Sequence, residues 1–200
     1  MVKLPKSFGL IAPYAAWMVL MAVLPATVGG YAVRTAVVAA LLVAGASKVS
    51  SPLKSSVSCL KSSLLPGLIV GLVVFVLWIL PEQFDIPFYR RFCIIGEGGT
   101  QAVAEASAAM IAVRLFGSAF VISVAEELFF RKWLIPFAGF GWMVALFAIE
   151  HDRWLVGAIA GLAYGLLYLR KGLGAAIVAH ATTNLVLGLW VLKTGQWQFW

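Results

Sequence analysis

Glu126 and Glu127 sit side by side in the run Glu126-Glu127-Leu128-Phe129-Phe130-Arg131, inside an otherwise apolar stretch of the chain. Two more polar islands follow in equally apolar surroundings, Phe147-Ala-Ile-Glu-His151 and His180-Ala-Thr-Thr-Asn184. Together they offer a carboxylate, two imidazoles and an amide, with no Ser or Cys nucleophile among them. That set suits an activated water rather than a covalent intermediate. A carboxylate held in low dielectric serves as a general base near neutral pH, and two side-chain donors beside the attacked carbonyl stabilise the oxyanion. The chemistry that fits is hydrolysis of a peptide bond inside a membrane.

Spacing assigns roles within each island. Glu127 and Arg131 are at i, i+4, the helical spacing for an ion pair that offsets the cost of burying either charge. Glu126 has no such local partner and is left as the free carboxylate, the better chemical candidate. Phe147 and His151 share one helix face, so the ring can wall one side of the imidazole. His180 and Asn184 share another, which aims two donors at one point with Thr183 in reach of either. Each island also has a plain structural reading: a charged helix end, an interfacial loop around Glu150, His151 and Asp152 that faces headgroups, and an interhelical hydrogen bond. All three together, matched to one chemistry, favour a site.

The elements that must carry these residues are membrane helices. The 200 residues are 62% hydrophobic and only 12% charged, where soluble domains carry about 25% charge, and mean hydropathy is +0.99. The expected fold is an all-α polytopic membrane protein, one bundle of about seven transmembrane helices and a single domain over 1–200. The apolar spans run 8–29, 31–46, 63–80, 105–137, 140–151, 154–169 and 173–192. A crossing helix needs ~20 residues, so the second and fifth are short. A Ser-rich linker is expected over 47–62, and an interfacial loop or short surface helix over 81–104. Gly157, Gly161 and Gly165, at four-residue spacing, read as helix-packing residues.

The net charge of +7 is spread over loops and helix ends rather than one face, which points away from nucleic acid and toward topology and anionic headgroups. Counting Lys3, Lys6, Lys48, Lys54, Lys61, Arg131, Lys132, Arg170 and Lys171 on one side against Arg34, Arg90, Arg91, Arg153 and Lys193 on the other places the N-terminus in the cytoplasm. Cys59 and Cys93 then lie near opposite faces, unpaired, and the N-terminal run reads as a retained helix rather than a cleaved signal.

Depth tests whether the islands meet. With a turn at Gly139-Phe140-Gly141, Glu126 and His151 lie about 21 and 16 Å from it at ~1.5 Å per residue, within roughly a turn of one another and well inside a core ~30 Å thick. Arg114 falls near the opposite interface, where it can snorkel. His180 lies ~12–15 Å from a second turn at Arg170-Lys171-Gly172 and reaches the same level if helices tilt.

Glu126-Glu127-x-x-x-Arg131, Phe147-x-x-x-His151 and His180-x-x-x-Asn184 resemble, in order, the three motifs of the CPBP intramembrane proteases, which include the type 2 CAAX prenyl proteases and the bacterial Abi-type proteins. The resemblance covers roughly residues 115–190, the expected catalytic core. It implies that Glu126 activates the hydrolytic water with His151, that His180 and Asn184 form the oxyanion site, and that Glu127, Arg131 and Phe147 support them. The family has been described as metal-dependent, and two His with Glu126 could hold zinc. These residues lack the local HExxH arrangement, and the better-understood members favour a metal-free glutamate mechanism, with no cofactor.

The leading expectation is therefore a multi-pass intramembrane endopeptidase of a bacterial plasma membrane, cutting a membrane-associated protein or peptide. A non-enzymatic membrane scaffold or immunity protein is the alternative, and a proton-coupled transporter is a third reading, set back by the lack of a visible inverted repeat.

Overall fold

The computed structural model describes residues 7–25, 27–58, 60–94 and 108–199. Eight helices account for nearly all of them: α1 (Phe8–Val23), α2 (Val28–Ser58), α3 (Leu60–Gln83), α4 (Pro87–Phe92), α5 (Ala108–Ala138), α6 (Phe140–Ile149), α7 (Trp154–Lys171) and α8 (Leu173–Thr194). A single 3₁₀ turn, Trp197–Phe199, ends the described chain, and no strand occurs among the described residues. The seven apolar spans correspond to α1–α3 and α5–α8, and α4 is the short helix expected in the aromatic segment. The chain is a polytopic helical membrane protein, in which α2, α3, α5 and α8 each hold a stretch long and apolar enough to cross a bilayer, while α1 and α6 are shorter.

The Ser-rich stretch is not a linker. Helix α2 continues through it to Ser58 and α3 starts at Leu60. Ser and Lys cost a helix only a few tenths of a kcal/mol each, less than ending one helix and nucleating another. Lys3, Lys6, Cys59 and the Gly96–Gly99 part of the aromatic segment lie outside the described residues.

Two tight turns define one end of the bundle. Gly139 (φ 93°) joins α5 to α6, and Gly172 (φ 84°) joins α7 to α8, a left-handed backbone that glycine adopts without Cβ strain. Ser63 at the start of α3 donates to the Lys171 carbonyl at this same end. Helix α3 then runs parallel to α8, tightly enough that a Cβ on Gly67 would lie 2.7 Å from Val178 and one on Gly71 2.5 Å from the Ala179 carbonyl oxygen. At the far end, Gln83 and Gln196 exchange hydrogen bonds.

The glycine row of α7 packs as its spacing predicts. A Cβ on Gly157 would lie 3.2 Å from His151, on Gly161 3.1 Å from the Phe147 ring, and on Gly165 2.7 Å from Met143 and Phe140. Three glycines thus seat α6, and with it Phe147 and His151, against α7. Of the counted charges, Arg170 and Lys171 sit at the two-turn end, whereas Arg131 and Arg153 are buried in ion pairs.

Candidate active site

Helix α5 is not uniform. Its glutamate turn, Ser123–Glu127, is flanked by two wider π-type segments, Gly117–Ile122 and Leu128–Leu134. Such bulges cost helical regularity and recur at functional sites because they redirect side chains. The carbonyls they free need partners, which neighbouring helices supply in a membrane. Here the Ser123 hydroxyl donates to the Ser118 carbonyl at 3.0 Å, and Asn184 of α8 donates its amide to the same carbonyl at 3.0 Å and to Ser123 Oγ at 3.2 Å. Across the helix, Gly117 leaves room for α2, since a Cβ there would lie 2.6 Å from Thr35 Oγ1.

Glu127 and Arg131 form the expected pair, Nε to Oε2 at 3.0 Å, with both side chains fully buried. The Arg131 guanidinium lies over the Phe147 ring, 4.4 Å from its centroid, with Phe130 and Tyr164 on its other sides. The second Glu127 oxygen meets His180 Nδ1 at 2.9 Å. A carboxylate paired with an arginine accepts, so Nδ1 carries a hydrogen and Nε2 faces outward. That Nε2 is 3.7 Å from Glu126 Oε2. His180 therefore stands between the two glutamates, and its ring stacks on Tyr164 with centroids 5.1 Å apart. Glu126 is buried, and its Oε2 makes no hydrogen bond, in keeping with its reading as the unpaired carboxylate.

His151 sits in the turn that ends α6. Its Nδ1 lies 2.7 Å from the Phe147 carbonyl oxygen. A carbonyl can only accept, so Nδ1 holds the hydrogen and Nε2 keeps its lone pair for another proton. Phe147 stands between the two imidazoles, 4.7 Å from His151 and 5.8 Å from His180, and Trp78 of α3 closes the other side of His151.

A cavity of about 390 Å³ unites these groups; Glu126, His151, His180, Asn184 and Phe147 all line it. Two sequence expectations change in detail. The Asn184 amide, expected to point with His180 at one spot, donates to α5 in this structure, while the imidazole is held by Glu127. Thr183 orients neither; it donates to the Gly71 or Ala179 carbonyl and accepts from Tyr164. Among the described residues no three His, Cys, Asp or Glu side chains form a cluster that could hold a metal ion.

Two cavity residues escape a reading by motif. Glu150, expected to face headgroups, lines the cavity beside His151, and its Oε2 is buried without a hydrogen bond. Arg114 lines it as well, at the far end beside Tyr31, rather than simply snorkelling. For Glu150 no local signal in the sequence marked this placement. Arg153, the nearest basic side chain in sequence, is committed to Glu82 of α3 and leaves Glu150 to the interior.

Residues 107–186 match the family model described as type II CAAX prenyl endopeptidase, Rce1-like, and the resemblance drawn from the three motifs holds over that segment. No curated protein and no solved structure matches the chain.

Proposed function

We propose that this chain, Rce1-like over residues 107–186, is an intramembrane endopeptidase in which Glu126 activates the hydrolytic water. The family implies a CAAX-type protease; the glutamate mechanism is our reading of the side chains. The observation that carries it is the contrast at the glutamate turn: His180 joins both carboxylates, yet only Glu126 opens onto the cavity.

A water in that cavity gives a proton to Glu126, assisted by the bare Nε2 of His151, as its oxygen attacks the scissile carbonyl carbon. His180, held from behind by Glu127, carries a hydrogen on both ring nitrogens in this reading, so that its Nε2–H donates to the developing oxyanion. Asn184 joins it by exchanging one of its α5 hydrogen bonds for the substrate oxygen. The substrate is a membrane-associated protein or peptide, the lipid bilayer is the medium, and the enzyme is a multi-pass protein of a bacterial plasma membrane with its N-terminus in the cytoplasm.

The test is cleavage of membrane-peptide libraries by purified protein in liposomes, wild type against Glu126→Gln. The variant is expected to lose about 10²–10⁴-fold of the rate, the range for a positioned acid or base, while its helix content is unchanged. A chelator series is expected to leave the wild type active. Cleavage that survives Glu126→Gln would remove Glu126 as the base, and a wild type that binds peptides without cutting any would return the scaffold reading.

A further inference from the structure

The mechanism so far returns no proton to the leaving amine, and the cavity holds a carboxyl group that nothing has used. Glu150 enters from the turn after α6, opposite Glu126 on α5, and both line one cavity. Each presents a buried oxygen, Oε2, that makes no hydrogen bond. The groups facing Glu150 are Tyr14 of α1, with its hydroxyl in hydrogen-bonding reach, Glu126 and Arg131 of α5, and His151 beside it in the turn. Arg131 is already paired with Glu127. Two further carboxylates facing one cavity in low dielectric cannot both be ionised at small cost, and the usual resolution is a shared proton.

Resting on the peptidase reading, we infer that Glu150 is the general acid of this site, held in place by Tyr14, and that it donates the proton that releases the amine. Water's proton passes to Glu126 as its oxygen bonds to the carbonyl carbon. The C–N bond then breaks as Glu150 delivers its proton to the departing nitrogen. Glu126, now protonated, returns the proton to Glu150 through cavity water, so the acyl half gains OH, the amine gains H, and both carboxyl groups regain their starting states. Tyr14 is a positioning residue. It stacks on Phe129 at 4.3 Å and meets Phe130 edge-on, which fixes its hydroxyl over the turn, and it lies on a helix outside the family-matched segment.

The decisive experiment compares amide with ester substrates of one sequence in wild type, Glu150→Gln and Tyr14→Phe, across pH. An ester's alkoxide departs with far less need of a proton than an amine. Glu150→Gln is expected to lose about 100-fold in kcat on the amide with KM unchanged, to lose the alkaline limb of the pH profile, and to cleave the ester within a few-fold of wild type. Tyr14→Phe is expected to move that alkaline limb with a smaller loss of kcat. Equal losses on amide and ester, or an unmoved alkaline limb in Glu150→Gln, would overturn the assignment.

A readout independent of turnover separates this from failure of the peptidase reading. Infrared spectra at neutral pH are expected to show a protonated-carboxyl band that Glu150→Gln removes. Loss of that band in Glu126→Gln alone, or its absence from wild type, would assign the proton elsewhere. No cleavage by wild type, with the band present and Glu150-dependent, would sink the peptidase reading while leaving the shared proton standing.

Discussion

Behind α5, Glu127, Arg131 and His180 close on one another between Phe147 and Tyr164, and the arginine and Glu127 have no exposed surface. In front of α5, Glu126 and Glu150 line a cavity, and neither is paired with an arginine or lysine in a salt bridge among the described residues. Adjacent residues of one helix turn thus have opposite surroundings. The difference follows from where the partners come from. Glu127 finds Arg131 along its own helix, whereas any partner of Glu126 must arrive from α8, from α6 or from a substrate. A closed set of buried charges is a scaffold; an open one is available for chemistry.

The largest effect should come from breaking the closed set. Arg131→Ala leaves Glu127 buried without its cation, a loss of about 3–5 kcal/mol for a buried pair. Reversible unfolding in mixed micelles should register most of that, and the variant should also lose activity because His180 loses its orientation. Glu126→Gln should do the reverse, abolishing cleavage with little change in unfolding. Should Arg131→Ala unfold like wild type, the set behind α5 is not structural and the contrast between the two sides collapses.

Much of this was legible in the sequence, and the illegible part has a physical cause. Spacing at i, i+4 identified the Glu127–Arg131 pair, and glycines fixed the turns at Gly139 and Gly172, because both rest on local helix geometry. The π segments were not legible. The first lies where α5 meets α2 and α8, through Gly117 against Thr35 and Asn184 against Ser118, and no local pattern in α5 announces either. The same limit applied to Asn184, whose face on α8 was right but whose partner on α5 was not foreseeable. Glu150 was misplaced because its nearest basic neighbour, Arg153, turns to Glu82, 71 residues away.

Asn184 straddles the two sides, so it tests where the boundary lies. If the amide serves the oxyanion, Asn184→Ala should cost on the order of 10²-fold in kcat, as loss of one oxyanion donor does. Its stability cost should be only about 1 kcal/mol, the net worth of a typical hydrogen bond, since Ser123 still covers the Ser118 carbonyl. Measured kcat and unfolding on the same preparation decide it. Loss of stability without loss of kcat would move Asn184 to the scaffold.

The smallest effects on turnover should come from adding one methyl group at two heights of α7. Gly165→Ala places a Cβ 2.7 Å from Met143 and Phe140, and Gly157→Ala one 3.2 Å from the His151 Cβ. The first is overpacking remote from the cavity, worth about 1–3 kcal/mol, and Met143 can absorb some of it by rotating its flexible end. It should lower stability and leave kcat within a factor of two or so of wild type, since Gly165 touches none of the cavity's polar groups. The second is a milder contact, yet it bears on the imidazole that assists Glu126. A shift of a few tenths of an ångström there should reduce kcat by on the order of tenfold or less at little cost in unfolding. Opposite rankings of the two variants in stability and in turnover are what the contrast between scaffold and cavity requires. The same ranking in both would mean that α7 transmits strain along its whole length and that the two sides of the site are not separable.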